Sequence, residues 1–95
     1  MAEKTLLIGY DLNKEVGSEG YNELIAAIKT VGAWWHHLDS TWLVKTHKSA
    51  VEVRDTLLGH LDSNDELLVI DVTSQPRAWT GFNASGSKWL KETYA

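Results

Sequence analysis

Four carboxylates stand where apolar runs meet short polar segments: Asp11 after LLIGY, Asp39 in HLDST, and Asp65 with Glu66 before LLVID. Oxygen ligands of this kind suit Mg²⁺ or Mn²⁺, which keep several waters, and a bound ion can activate water against a phosphodiester. A plainer reading competes. Asp39 and Asp65 have the character of turn residues that bond their own backbone, and Asp11 terminates a strand. No acid triplet is spaced locally, so a metal site of Asp11, Asp39 and Asp65 has to be assembled by the fold or by a second subunit.

The other chemistry-bearing groups are histidine and tryptophan. His36, His37, His47 and His60 include no i, i+4 pair, and the adjacent His36 and His37 point to opposite faces of a strand, which argues against a metal site built on them. His36 or His37 could still shuttle a proton or meet a phosphate. Five tryptophans, at 34, 35, 42, 79 and 89, are many for so short a chain. Trp34 and Trp35 cannot both face the same helices, so one is expected in the core while the other covers an interface or offers a flat surface to a base. The candidate ligand-binding set is therefore Tyr10, Trp34, Trp35, His36, His37, Trp42 and Trp79, with Asp11 as the candidate catalytic residue. No nucleophile elbow, P-loop or dinucleotide fingerprint is present.

These residues must be positioned by elements that the apolar spacing outlines. Thr5 to Leu12 is a consecutive apolar run, as expected of a buried strand, and Asn13 to Gly20 is a polar, glycine-containing loop. Tyr21, Leu24, Ile25, Ile28 and Val31 form the stripe of a first helix ending near Gly32. Ala33 to Leu38 and Trp42 to Thr46 flank Asp39-Ser40-Thr41 as a β-hairpin. Ser49 and Glu52 make a capping box for a second helix carrying Ala50, Val53, Leu57 and Leu61, with Thr46 as a rival cap. Glu66 to Val72 is another apolar strand. After Pro76 the spacing predicts a short strand over Ala78 to Phe82 and a last helix capped by Asn83 or Ser85.

The order β-α-β-β-α-β with a C-terminal strand and helix predicts an α+β, ferredoxin-like domain. Its core spans about residues 4–72 and its appendage 73–95, all within one domain over 1–95. In that topology the first and third strands are central, and Asp11, Asp39, Asp65 and Glu66 collect along one edge. Both core helices lie on one face of the sheet. The other face is left to water or a partner, and dimerisation is expected through that face or through the segment around Trp79.

Ninety-five residues suit a single domain, one that hides roughly 60–70% of its unfolded surface. Thirteen acids against nine Lys and Arg give a formal charge of −4, which disfavours long nucleic-acid duplexes and leaves room for a small ligand held by a few local contacts. The absence of cysteine excludes disulfides, thiolate nucleophiles and cysteine-based zinc sites. No signal peptide or membrane-spanning run is recognisable, so a cytoplasmic protein without membrane contact is expected.

With Tyr10-Asp11 ending its first strand, the chain resembles the small CRISPR-associated adaptation nucleases, the Cas-two family, over roughly residues 5 to 72. GAWWHHLDSTWLVKT, RDTL, DELLVIDV and GSKWLK are similar to a stand-alone bacterial and phage group labelled SinR-like. The first resemblance implies a homodimer in which the strand-one acids of two subunits share a divalent ion and cut RNA or DNA, or else a non-catalytic scaffold. Only Tyr10 and Asp11 carry over, and Asn13-Lys14-Glu15 replaces the arginine-rich segment often found after that aspartate. The expectation favoured is a homodimeric module that binds a nucleotide or short nucleic acid without catalysis, such as a phage or host-defence protein that sequesters a signalling nucleotide. The alternatives are a metal-dependent phosphodiesterase using Asp11, with Asp39 or Asp65 assisting, and a protein-interaction module.

Overall fold

The structure, a computed structural model, describes residues 2–95; Met1, the first residue of the expected domain, lies outside the described residues. Its centre is strand β1, Lys4–Asp11, flanked by β3, Thr41–Thr46, and β4, Glu66–Asp71. With β2, Ala33–Leu38, these form one antiparallel sheet in the order β2-β3-β1-β4. The first and third strands are central, as expected.

Why β1 reads as an unbroken apolar run is now evident. Leu6 and Ile8 are fully buried on one face, while Thr5 is fully buried and Leu7 packs on the other. Both faces are covered, so alternation disappears.

On the first face lie helices α1, Glu19–Val31, and α2, Ala50–Leu58. The Ser18 hydroxyl accepts from the Tyr21 amide and starts α1. Ser49 and Glu52 form the reciprocal capping box that starts α2, so Ser49 is the cap, and Thr46 instead accepts a bond from the Lys48 amide. Leu24 and Ile28 of α1, with Val53 and Leu57 of α2, close over Leu6, Ile8, Trp42 and Val44. Leu61, expected on the second helix, falls beyond its end but still packs against this core. At the junction of α1 and β2, a Cβ on Gly32 would collide with the backbone carbonyl of Lys45.

The second face departs from expectation. It is not left open: helix α3, Ala84–Glu92, and the segment before it fold back across the sheet. Trp35, Leu43 and Leu90 form a second buried cluster there, joined by Leu7, Trp79, Phe82, Trp89 and Tyr94. Nor is Ala78 to Phe82 a strand. Gly81 has φ 89°, a left-handed conformation that breaks an extended run, and Pro76 just upstream lacks an N–H for a ladder. Side chains hold the segment instead: Trp79 Nε1 donates to Ser87 Oγ at 3.2 Å and Arg77 Nε to the Leu90 carbonyl at 2.8 Å. Of the two expected caps, Asn83 and Ser85, it is Asn83 that accepts from the Gly86 amide and starts α3.

The cover is incomplete at one side. Leu68 and Ile70 of the edge strand β4 lie beyond it, 56% and 43% exposed. Among the described residues, no helix is long and apolar enough to cross a membrane.

Candidate functional site

A cleft of about 470 Å³ opens where β1 leaves the sheet. Tyr10 and Asp11 supply its floor, Tyr21 of α1 one wall, Lys14 and Val16 the loop wall, and Asp39 with Ser40 the hairpin wall. The hairpin turn is tied to β1 by a bond from the Tyr10 amide to the Ser40 carbonyl at 3.1 Å. That bond is why Asp39 and Asp11, distant in sequence, share one hollow.

Tyr10 is anchored from below. The indole N–H of Trp42, whose side chain is fully buried, donates to the Tyr10 hydroxyl at 3.1 Å. Burial pushes the Tyr10 phenol up to about 12, against the pull of the Trp42 bond, and Tyr21 and Asp39 push it the same way as burial. The phenol is therefore a neutral group at physiological pH. His36 stacks on the Trp42 ring, with centroids 3.7 Å apart and planes 11° apart, and its Nε2 lies 2.9 Å from the Asp39 carbonyl. A chain of contacts from Asp39 through His36 and Trp42 to Tyr10 thus sets the shape of the cleft.

Asp65 has a different task. Its side chain is fully buried, and its carboxylate accepts from the Asn13 amide at 2.7 Å and the Asp62 amide at 2.8 Å, with the Lys14 ammonium 3.2 Å away. The backbone bonds from Asp62 and Asn13, then Lys14, hold its carboxyl below the usual range. Lys14 also donates to the His60 carbonyl at 3.1 Å and lies 3.6 Å from Asp62. Desolvation opposes its charge, but the bond to Asp65 and the nearby Asp62 outweigh it and raise the ammonium above its ordinary value. This node clamps the loop after β1 to the loop before β4. Both charges are consumed in holding the chain together.

The expected acids are therefore divided. Asp11 and Asp39 line the cleft, Glu66 stands opposite Asp11 across the β1–β4 ladder, and Asp65 is turned into the Lys14 node. Among the described residues, no three His, Asp or Glu side chains stand together as a metal site.

The aromatic candidates are divided too. Trp42 and Trp35 are buried, at 0% and 4% exposure, and neither presents a ring to the cleft at the end of β1. Trp34 is 43% exposed on the helical face, but the Lys29 ammonium lies over its ring at 4.9 Å. His37 points to the opposite face from His36, as their adjacency requires, and packs near Trp35 and Phe82. Trp79 belongs to the second face. Leu12, Lys14, Val16, Tyr21 and Ser40 of the cleft lie outside the expected site residues. Tyr21 heads the apolar stripe of α1 and reads as core, and Ser40 reads as an ordinary turn residue; only the chain path places them beside Tyr10.

No family model matches the chain, and no solved structure matches it.

Proposed function

We propose that this protein is a binding module for a nucleotide or short nucleic acid, with the cleft at the end of β1 as the receiving site. The observation that carries the reading is the convergence of Tyr10, Tyr21, Asp11, Asp39 and Ser40 on one hollow of about 470 Å³. Tyrosine rings offer faces on which a base can stack, and carboxylates accept hydrogen bonds from amino and imino edges or from ribose hydroxyls. Lys14, the cleft's only lysine, is already paired with Asp62 and Asp65. The nucleoside end is thus the part the cleft suits, with phosphate directed outward, and the net charge of −4 disfavours a long duplex.

The β-α-β-β-α-β order, the sheet order β2-β3-β1-β4 and the placement of α1 and α2 on one face support reading the core as ferredoxin-like, with a C-terminal extension. They are compatible with the Cas-two-like and SinR-like resemblance. The exposed Leu68 and Ile70 on the β4 edge favour a homodimer formed there rather than through the face that α3 covers.

A second reading rests on Asp11 and Asp39 sharing the cleft. These two carboxylates would hold Mg²⁺ or Mn²⁺, and such an ion supplies an activated water for phosphodiester cleavage. Two carboxylates from one chain leave most of an octahedral shell to waters, phosphate oxygens or a second subunit.

One experiment separates the readings: thermal shift and mass analysis of the protein with mono-, di- and cyclic nucleotides and short RNA or DNA, with and without Mn²⁺. Binding at a hundredfold excess over Kd adds about 2.7 kcal/mol of stability, so a metal-independent rise in Tm with intact ligand, lost in Tyr21→Ala, is the expected result. Cleavage that needs Mn²⁺ and vanishes in Asp11→Asn would instead establish the phosphodiesterase. The absence of both shift and cleavage with all of these nucleotides and nucleic acids would refute both readings and turn attention to a protein partner.

A further inference from the structure

The face of the sheet opposite α1 and α2 holds a second hollow, of about 460 Å³, between the sheet and the segment leading to α3. Leu43 and Trp35 line it from the sheet, and Trp79, Phe82 and Leu90 from the covering segment. The polar tips of its aromatic walls are already occupied. Trp35 Nε1 donates to the Gly86 carbonyl at 3.1 Å, Trp79 Nε1 to Ser87 Oγ at 3.2 Å, and the Tyr94 hydroxyl to the Val72 carbonyl. What these walls offer a ligand is ring and methyl surface.

Arg77 borders the same hollow and is held in place on three sides. Its guanidinium lies 4.0 Å over the Tyr94 ring, Nε donates to the Leu90 carbonyl at 2.8 Å, and Nη1 donates to the Gln75 carbonyl at 3.3 Å. Among the described residues no carboxylate lies within ion-pair distance of Arg77, as is also true of Lys4, Lys29, Lys48 and Lys91. Nη2 is left without a hydrogen-bond partner among the described residues. A fixed guanidinium with an open edge, set beside an apolar hollow, is complementary to a carboxylate carried on an apolar body.

We propose that this hollow binds a small amphipathic carboxylic acid, its aromatic or branched aliphatic body lying against Trp35, Leu43 and Trp79 and its carboxylate on the outer edge of Arg77. The site is separate from the cleft at the end of β1, on the other face of the sheet, and stands or falls independently of it. Charge complementarity chooses the acid over a neutral or cationic ligand. A charged hydrogen-bonded pair, rather than the apolar contact, decides affinity between acids and their amides.

The test compares 3-phenylpropionate with 3-phenylpropionamide by calorimetry and by the five indole N–H signals in a ¹H–¹⁵N spectrum. The acid is expected to bind saturably and at least about tenfold more tightly than the amide, the factor that one charge-assisted hydrogen bond supplies. Trp35 and Trp79 signals should move while those of Trp34 and Trp42 stay. Arg77→Gln should abolish the preference for the acid. If that variant does not fold, the comparison of acid and amide on the unaltered protein still decides. Equal binding of the two, no saturation at millimolar acid, or shifts confined to Trp34 and Trp42 overturns the proposal. So does a dimer in sedimentation in which Trp35 and Trp79 are already protected and no acid binds, since a second copy then fills the hollow.

Discussion

Replacing Tyr10 by phenylalanine keeps the ring and removes one oxygen, and that oxygen is the acceptor for Trp42 Nε1 at 3.1 Å. Trp42 is 0% exposed, so its N–H is left without its protein partner once the acceptor is gone. Stranding a buried donor costs about 1–3 kcal/mol, and in a domain of this size each kcal/mol lowers Tm by roughly 4–8 °C. A central value near 2 kcal/mol therefore lowers Tm by about 8–16 °C, well outside the effect of losing a ring-surface hydroxyl. Urea unfolding of Tyr10→Phe, Trp42→Phe and the double variant checks the origin of the loss. The double variant has no stranded donor, so its destabilisation should fall short of the sum of the singles by about 1 kcal/mol or more. A loss in Tyr10→Phe below about 0.5 kcal/mol, or strict additivity, would refute the claim that this bond organises the floor of the cleft.

The Asp65 node should make stability sensitive to acid. Its folded carboxyl titrates below the unfolded value, so its contribution is present above about pH 4 and disappears as pH falls through the lower folded value. Asp65→Asn should consequently lower Tm at neutral pH and converge with the unaltered protein in strong acid, which a Tm series against pH reads directly. Gly32→Ala should fold poorly or lose several kcal/mol, because its methyl would meet the Lys45 carbonyl in backbone that cannot yield without disturbing the β2–β3 pairing; circular dichroism and the Tm report it.

Much of the first layer is legible because its rules are local. The capping box at Ser49 and Glu52, the stripe from Tyr21 to Val31, and the hairpin around Asp39 each depend on a few neighbouring residues, and each stands where its spacing predicts. The second layer is different. Trp79, Phe82 and Leu90 have no strong periodicity between them, and their partners Leu7, Trp35 and Leu43 are remote in sequence, so nothing local says that the C-terminal segment covers the sheet. Extended composition around Ala78 was misleading for the same reason: Gly81 marks a left-handed turn, but a glycine alone does not announce its φ. At the site, topology correctly delivers Asp11 and Asp39 to one end of the sheet. It cannot reveal that Asp65, equally acidic and equally placed, finds Lys14 and two backbone amides before it can find an ion.

Because β1 lies between β3 and β4, both strands that flank it are synthesised after it. Its neighbours are Thr41–Thr46 on one side and Glu66–Asp71 on the other, so Leu6, Leu7 and Ile8 wait in the nascent chain until both have emerged. Such long-range pairing is slow, and the exposed intermediates are those that chaperones recognise. A chain cut just after residue 72 would keep the residues of all four strands and of α1 and α2, and would lack the cover over Leu7, Trp35 and Leu43. Only α3 and the segment before it dress that face, so the sheet's second side is finished by the last part of the chain to be made.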